Sequence, residues 1–343
     1  MELGERKLKI LQAIIKDFIT TAEPVGSRTL AKKFDLGISS ATIRNEMADL
    51  EDLGFLEQPH TSAGRIPSDK GYRLYVDNLM NINRLAQIQK DFIHKCFLDS
   101  LGELEQAFVE TSKILSQMTK LTSIVLSPQF KESRLKHIQL VPLDEKSILL
   151  VIVSESDVIK NAILRTNEVY TPENLQIISR MLNARLHGLT MDKIAGVALE
   201  SIKNEMSMFS TMIEAVMPAL MVTLAERVNF HLYLDGLTNI FNLPEYNNIN
   251  KAREFMTILD QKDFVANMLI NRKDGVDITI GRENSNDVLK ECSLITATYK
   301  FNGRTVGKIG VIGPTRMDYE NIVSVVDFLT NRLTDILKGT VDE

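Results

Sequence analysis

The chain has 343 residues, of which 44% are hydrophobic and 25% are charged, and its formal net charge is −5. These proportions are ordinary for a globular protein and provide core material for two or three domains. No apolar run approaches the ~20 residues of a membrane-spanning helix, and no apolar signal core lies near the first residues. Cys96 and Cys292 are far apart and indicate no disulfide framework, so we expect a reducing, cytoplasmic location.

The charges are unevenly distributed, and this matters more than their sum. Residues 27–44 carry four bases and one acid, and residues 60–73 carry three bases and one acid. Two basic clusters of this kind are the electrostatic footprint of a DNA-binding protein. Solvated surface charge is the commoner explanation of such clusters unless a suitable helix lies between them.

The first two predicted helices form a helix-turn-helix. Apolar residues at helical spacing predict a helix over residues 5–20, and a second, short helix runs to Phe34 with Ser27 as its cap. The turn at residues 35–37 leads into a third helix. Ser27 and Arg28 could anchor a DNA phosphate at the start of the second helix.

The third helix has the pattern of a recognition helix. Ser39 or Ser40 is its predicted N-cap, Ile43, Met47 and Leu50 repeat on one apolar face, and Gly54 ends it. Its acids occupy the last turns and would repel phosphate, so only its N-terminal half could enter a major groove. The candidate DNA contacts of this helix are Ser39, Ser40, Thr42, Arg44 and Asn45. Arg44 and Asn45 are expected to contact bases.

A short strand, a loop and a second short strand follow, which is the plan of a winged helix. The loop reads "HTSAGRIP", and we expect Arg65 at its tip, in contact with the DNA backbone or minor groove. A fourth helix begins near Ser68. The candidate DNA contacts of this part are His60, Thr61, Arg65, Lys70 and Arg73. The last two are weaker candidates, since a solvated helix surface explains them nearly as well.

The stretch "SSATIRNEMADLEDLGFLEQPHTSAGRIPSDKGYRLYVD" resembles the N-terminal signature of the HrcA family of heat-inducible transcription repressors. Its most distinctive part is "HTSAGRIPSDKGYR". The likeness extends over nearly all of the chain, with weaker motifs after about residue 81. It implies a homodimer that binds double-stranded DNA at an inverted-repeat operator, called CIRCE, before chaperone operons. It also implies a GroEL-type chaperonin that keeps the repressor active, and nucleoid association when the repressor is bound to its operator.

The rest of the chain alternates between helical and strand patterns. A helical stretch over residues 83–121, divided near Gly102, precedes a strand at Thr122. Three strands near residues 137, 147 and 158 are predicted to form an antiparallel meander. A helix over residues 172–186, a hairpin turning at Asn302-Gly303, and a closing helix over residues 319–337 complete the pattern.

This order predicts a multidomain α+β protein. We assign residues 1–81 to a winged helix-turn-helix domain, and residues 82–129 and 226–343 to a GAF-like α+β domain. Residues 130–225 form an inserted α/β domain, for which the family resemblance implies a role in dimerisation. The pattern alone fits a plain two-domain chain about equally well.

Other functions have less support in the sequence. A GAF-like domain could sense a small molecule, or could be an enzyme that carries a DNA-binding appendage. However, the glycines of "GRTVGKIGVIGP" lack the phosphate-loop pattern, and the five histidines show no i, i+4 pair, so no cofactor or metal is predicted. No catalytic motif is found. The methionine-rich residues 205–224, kinked at Pro218, fit a core or dimer contact better than a surface for another protein.

Overall fold

The structure is a computed structural model with a mixed α/β architecture. It describes residues 3–61, 63–82, 84–98, 104–128, 134–154, 159–166, 168–189, 193–194, 211–214, 216, 218, 220, 231–301 and 303–339. The chain divides into two compact units. Unit 1 joins Met1–Ser127 to His231–Glu343, and unit 2 is Pro128–Phe230.

The N-terminal part of unit 1 is three helices, a small hairpin and a fourth helix. The elements are α1 (Glu5–Thr21), α2 (Ser27–Lys33), α3 (Ser40–Asp52), β1 (Leu56–Glu57), β2 (Ile66–Pro67) and α4 (Asp69–Leu74), which continues into a π-helical turn, Tyr75–Leu79. β1 and β2 pair in antiparallel fashion. Ile10, Ile14 and Leu50 are fully buried in this part of the unit.

The elements that follow are α5 (Gln87–Leu98), α6 (Leu104–Thr119), β3 (Thr122–Leu126), β4 (Leu135–Pro142), β5 (Ser147–Ser154), β6 (Ile159–Arg165), α7 (Pro172–Leu186), β7 (Leu232–Asp235), α8 (Ile249–Asp260), α9 (Lys262–Ile270), β8 (Asp277–Ile280), β9 (Cys292–Phe301), β10 (Arg304–Pro314) and α10 (Tyr319–Lys338). The predicted division at Gly102 lies outside the described residues.

A five-stranded antiparallel sheet forms the body of unit 1, in the order β7-β3-β10-β9-β8. α6 and α10 pack against it. β3 is buried along its whole length, which explains its apolar residues Ile124–Leu126. The buried Ser123 hydroxyl donates to the Ser112 carbonyl at 2.6 Å. The predicted hairpin is confirmed, since Gly303 takes the left-handed conformation (φ 78°) between β9 and β10. Its partner Asn302 lies outside the described residues.

The chain leaves this sheet after β3 and rejoins it beside the same strand. The Ser127 amide donates to the His231 carbonyl at 2.9 Å, and the His231 amide donates to Ser127 Oγ at 2.8 Å. β7 then pairs directly with β3. The two ends of the segment between Ser127 and His231 therefore lie side by side in unit 1.

Unit 2 contains the predicted meander, which is confirmed: β4, β5 and β6 pair in antiparallel fashion in that order. α7 covers one face, where Ile138 and Leu150 are buried in one cluster with Ile178 and Leu182. Asn183 of α7 exchanges two hydrogen bonds, of 2.8 and 2.7 Å, with the backbone amide and carbonyl of Ile138. These bonds fix the helix to the edge strand and satisfy backbone groups of that edge.

The methionine-rich segment is described only in part. Met212 is fully buried in the core of unit 2 with Ile213 and Val216. For Met212 the prediction of core packing is therefore confirmed. The other methionines of residues 205–224, and most of the segment around them, lie outside the described residues.

Candidate nucleic-acid interface

The start of α3 is fixed by Ser39. Its Oγ accepts a hydrogen bond from the Thr42 amide at 3.2 Å and lies 3.0 Å from the Thr42 hydroxyl. Of the two predicted caps, Ser39 is the N-cap and Ser40 is the first helical residue. The hydroxyls of Ser39 and Thr42 are therefore already engaged with each other and with the helix terminus.

The exposed side of α3 carries the two residues predicted to contact bases. Ile43, Met47 and Leu50 are buried, whereas Arg44 and Asn45 are exposed. Neither side chain forms a hydrogen bond or ion pair with any other residue that the structure describes. Both are thus available to an external partner, with Ala41 and Ala48 as small exposed neighbours on the same helix.

The acids of α3 are largely neutralised by cations from elsewhere in the N-terminal part. Lys7 Nζ lies 2.8 Å from Glu46 and 2.9 Å from Asp49, and these contacts raise the pKa of Lys7. Arg6 reaches Glu46 at 3.5 Å. Arg65 pairs with a third acid, Glu51. The repulsion that these carboxylates would exert on phosphate is therefore reduced.

Arg65 does not lie at the tip of the β1–β2 loop, contrary to the prediction. Its backbone forms an isolated antiparallel bridge with Val25, with both N–H···O distances at 2.9 Å. Its Nε donates to Glu51 Oε2 at 2.7 Å. Arg65 lies at the base of the loop, because it directly precedes β2 and is held by this bridge. Its contact with DNA remains a prediction.

His60 and Thr61 occupy the exposed part of the same loop. Gln58 closes the loop, because its side-chain amide donates to the carbonyls of Thr61 and Ala63 at 3.0 and 3.2 Å. The Ala63 amide also donates to the His60 carbonyl at 2.9 Å. These bonds hold both predicted residues on the outside of the molecule.

Ser27 is not a cap, although the sequence predicts it as one. Gly26 is the N-cap of α2, without a side-chain hydrogen bond, and Ser27 is the first helical residue. The cap prediction fails because the extended backbone that a cap requires falls one residue earlier, at Gly26 (ψ 150°). Arg28 is exposed and forms no side-chain contact with the described residues.

The side chains of Lys70 and Arg73 form contacts within the protein. Lys70 Nζ donates to the Leu53 carbonyl at 2.8 Å and lies 4.4 Å from the centre of the Phe55 ring. Arg73 forms bonds of 2.8 and 2.5 Å with the Glu283 carboxylate, which raise the pKa of Arg73. It also donates to the Ile278 carbonyl at 2.6 Å. Sequence reasoning could not find these partners, because Glu283 is 210 residues away.

Metal sites and membrane-spanning helices are absent from the part of the chain that the structure describes. Within the described ranges, no group of three His, Cys, Asp or Glu residues could hold a metal ion. Among the same residues, no helix is long and apolar enough to cross a membrane.

The fold has a counterpart among solved structures. The crystal structure of a hypothetical protein, determined at 2.2 Å, matches with a TM-score of 0.64 and 23% sequence identity, and the match covers 99% of this chain and 100% of that one. At this identity the match supports the fold alone.

The family is shown by closer relatives. The model of the HrcA protein C-terminal domain matches residues 105–323. The heat-inducible transcription repressor HrcA of Alkaliphilus metalliredigens is 48% identical over 340 residues, which are 99% of each chain. The protein of the same name from Clostridium tetani is also 48% identical, over 98% of this chain and 97% of that one. The chain therefore belongs to the HrcA family of heat-inducible transcription repressors.

Proposed function

We propose that this protein represses heat-shock (chaperone) operons by binding, as a homodimer, a CIRCE-type inverted repeat in double-stranded DNA. The proposal rests on which side chains of α3 are exposed and which are paired. Its exposed side offers Arg44 and Asn45 without partners among the described residues, while Glu46, Asp49 and Glu51 are paired with cations of the same unit.

These side chains suit base recognition. A guanidinium can donate two hydrogen bonds to the O6 and N7 edge of guanine, and an asparagine amide can pair with the N6 and N7 edge of adenine. The small exposed residues Ala41 and Ala48 would allow the helix to approach the floor of a major groove closely. Arg28, His60 and Thr61 would then contact the backbone beside the groove.

The proposed binding domain is a winged helix-turn-helix formed by residues 1–81. α2 and α3 pack together, and the β1–β2 hairpin follows α3 directly, which supports this assignment. The GAF-like domain, residues 82–129 and 226–343, is supported by a five-stranded antiparallel sheet with α6 and α10 packed against it.

An inserted dimerisation domain at residues 130–225 is supported by two observations. The segment departs from and returns to adjacent residues, Ser127 and His231, as an insertion should. On the face of its sheet opposite α7, Val141, Leu149 and Ile163 stand in one register row. Ile163 is 65% exposed and Val141 37%. An apolar row of this kind would be covered by the same face of a second copy.

Membership of a family of heat-inducible repressors supports a proposal for a chaperonin partner and a cellular location. We propose that a GroEL-type chaperonin keeps the repressor competent for binding in the cytoplasm. Heat-damaged proteins would occupy the chaperonin and so relieve repression. Bound repressor would lie on the nucleoid.

The substitution Arg44→Ala tests the DNA-binding role. We expect specific affinity for the inverted repeat to fall by the ~1–3 kcal/mol of a bidentate base contact, with a much smaller loss on unrelated duplex. Gel-shift titration of both duplexes measures this difference. Arg253→Ala is the matched control, since it removes an exposed arginine from α8 and should change neither affinity. Equal losses of Arg44→Ala on both duplexes would mean that Arg44 contacts only phosphate.

A further inference from the structure

The helix that follows the β1–β2 hairpin faces the protein rather than the solvent. Four side chains of α4 and its π-helical continuation contact the C-terminal part of unit 1: Asp69, Tyr72, Arg73 and Tyr75. We call them the α4 latch. Arg73 is its ionic centre, with two bonds to Glu283 and one to the Ile278 carbonyl.

The turn that contains Gly281 and Glu283 contacts the α4 latch in the C-terminal part of unit 1. Glu283 accepts the Ile280 amide at 2.8 Å, which holds its carboxylate in position for Arg73. Asp69 accepts the Arg282 amide at 3.0 Å. Gly281 has a positive φ of 53°, and a Cβ at this position would lie 2.2 Å from the Asp69 carboxylate. This turn therefore requires glycine for two independent reasons.

Buried tyrosines complete the contact. Tyr72 and Tyr75 are 1% and 2% exposed. The ring centre of Tyr72 lies 5.8 Å from that of Tyr319, and the Tyr75 hydroxyl donates to Glu320 at 2.7 Å. Beyond the latch, Arg316 donates to the Ile19 carbonyl at 2.7 Å, so that α1 is attached as well. The N-terminal part is thus joined to the sheet body by ionic, polar and aromatic contacts.

We propose that the α4 latch is a positioning device that fixes the orientation of α3 relative to the rest of unit 1. This inference rests on the proposed function as a DNA-binding dimer. Two recognition helices meet successive major-groove faces only at a set separation, about one helical turn of DNA or a multiple of it. Rigid attachment of α3 to the sheet of unit 1 would remove one source of variation in that separation, and would save the ordering cost that a flexible tether imposes on binding.

In the latch, Arg73 positions α3 and does not contact DNA phosphate. The substitution Glu283→Gln distinguishes these two roles of Arg73. Arg73 also donates to Asp77 Oδ1 at 3.1 Å. If Arg73 contacts phosphate, removal of the Glu283 carboxylate weakens its pairing within the protein and strengthens DNA binding. If Arg73 positions α3, the same substitution loosens the docking and weakens operator binding. Arg73→Gln and the double variant Arg73→Gln/Glu283→Gln complete a double-mutant cycle. Asp69→Asn replaces Arg73→Gln as a latch variant if Arg73→Gln does not fold.

The experiment measures affinity of the full chain for duplexes with a CIRCE-type inverted repeat. The spacer between half-sites is varied by up to about five base pairs, half a helical turn, in each direction. Wild type should show a sharp optimum. Both single latch variants should lose about tenfold or more at the optimum and give a flatter spacer profile, with the affinity for unrelated duplex unchanged. The double variant should lose no more than either single variant.

Arg282→Gln is the matched control, because Arg282 is exposed beside Glu283 and contributes only its backbone amide to the latch. It should keep the wild-type profile. Latch variants with an unaltered affinity and spacer profile, or with tighter operator binding, would overturn the inference while leaving the proposed function intact. A wild-type chain that binds no inverted repeat would overturn both.

Discussion

Arg65 is held by a carboxylate of the same helix that carries Arg44 and Asn45. The distance from its Nε to Glu51 Oε2 is 2.7 Å, and its side chain is 21% exposed. A cation in such a pair attracts phosphate weakly, because its field is largely cancelled at a distance. Arg65 can therefore contribute to DNA binding only by exchanging Glu51 for a phosphate oxygen.

We expect that exchange to occur, and the substitution Arg65→Ala tests it. Loss of one phosphate contact should reduce the slope of log affinity against log salt by about one. Glu51→Gln should strengthen binding, because it frees Arg65, and it should do so more than Asp52→Asn, which removes an exposed carboxylate that holds no arginine in the described structure. If Arg65→Ala changes neither slope nor affinity, Arg65 lies outside the interface.

Arg44, Arg65 and Arg73 show what the sequence could predict about the site. All three arginines were assigned to DNA by charge and by their place near the third helix. Only Arg44 is free of partners among the described residues, because helical spacing alone determines its exposed position. The partners of Arg65 and Arg73 lie 14 and 210 residues away, so their engagement depends on tertiary contacts that no local pattern contains.

Glu320, the second residue of α10, holds the π-helical turn after α4 and the end of α1 close to α10. Its carboxylate accepts the Tyr75 hydroxyl at 2.7 Å and the Asn81 amide at 3.1 Å, and Lys16 lies 3.3 Å away. Burial raises the pKa of Glu320, but these three contacts together lower it below its ordinary value of 4.5. The folded protein therefore binds a proton at Glu320 less readily than the unfolded chain does.

This shift predicts how stability depends on pH. A lowered carboxylate pKa adds stability above the unfolded value, and the addition is lost as the pH falls through the folded value. Wild type should thus be more stable than Glu320→Gln at pH 7, and its advantage should shrink as the pH falls below about 4.5. Denaturant unfolding between pH 7 and pH 3 measures this difference.

Glu254→Gln provides the reference for that measurement, since Glu254 is exposed on α8 and forms no hydrogen bond with the described residues. It should differ little from wild type at any pH. A stability gap between wild type and Glu320→Gln that stays constant with pH would show that the Glu320 carboxylate does not hold the contact.

Elements with strong local signals were predicted well. Ser39, one of the two predicted caps, caps α3, and Ser68, near which a helix start is predicted, caps α4. A side-chain oxygen that can reach a free helical amide is visible in the sequence. The π-helical turn Tyr75–Leu79 was not predicted. Helical periodicity does not distinguish a π turn from an α turn, and the Leu79 carbonyl is bonded by Gln12 of α1, a tertiary contact.

At the scale of the whole molecule, the sequence predicts the strands of the five-stranded sheet but not their order in the sheet, and the topology explains why. The strand pattern was visible, but β3 pairs with β7 and β10, which come more than a hundred residues later. Pattern alone left a plain two-domain chain equally possible. The pairing of Ser127 with His231 supports the inserted arrangement, because it brings the ends of the long intervening segment together.

The last prediction concerns heat and the chaperonin. The net charge of −5 over 343 residues gives limited electrostatic protection against association. The face of the meander opposite α7 adds exposed apolar side chains, among them Ile163, when the proposed dimer dissociates. We therefore expect the repressor to exchange with an inactive state that associates through apolar surface. A chaperonin that binds this state and returns it to folding would raise the operator-competent fraction, and heat-damaged proteins that compete for the chaperonin would lower it.

Stoichiometric titration of purified repressor with operator duplex measures the active fraction, and titration at low concentration measures the affinity of each active dimer. Addition of a GroEL-type chaperonin with ATP should raise the active fraction and leave the affinity of each active dimer unchanged. Serum albumin at the same concentration controls for general protection of a dilute protein, and it should raise neither. The prediction fails if fresh repressor is fully active alone, remains so after a mild heat step and does not respond to chaperonin. A small molecule bound by the C-terminal part of unit 1 would then be the better explanation of induction, because a conformational change needs a ligand that distinguishes the two states.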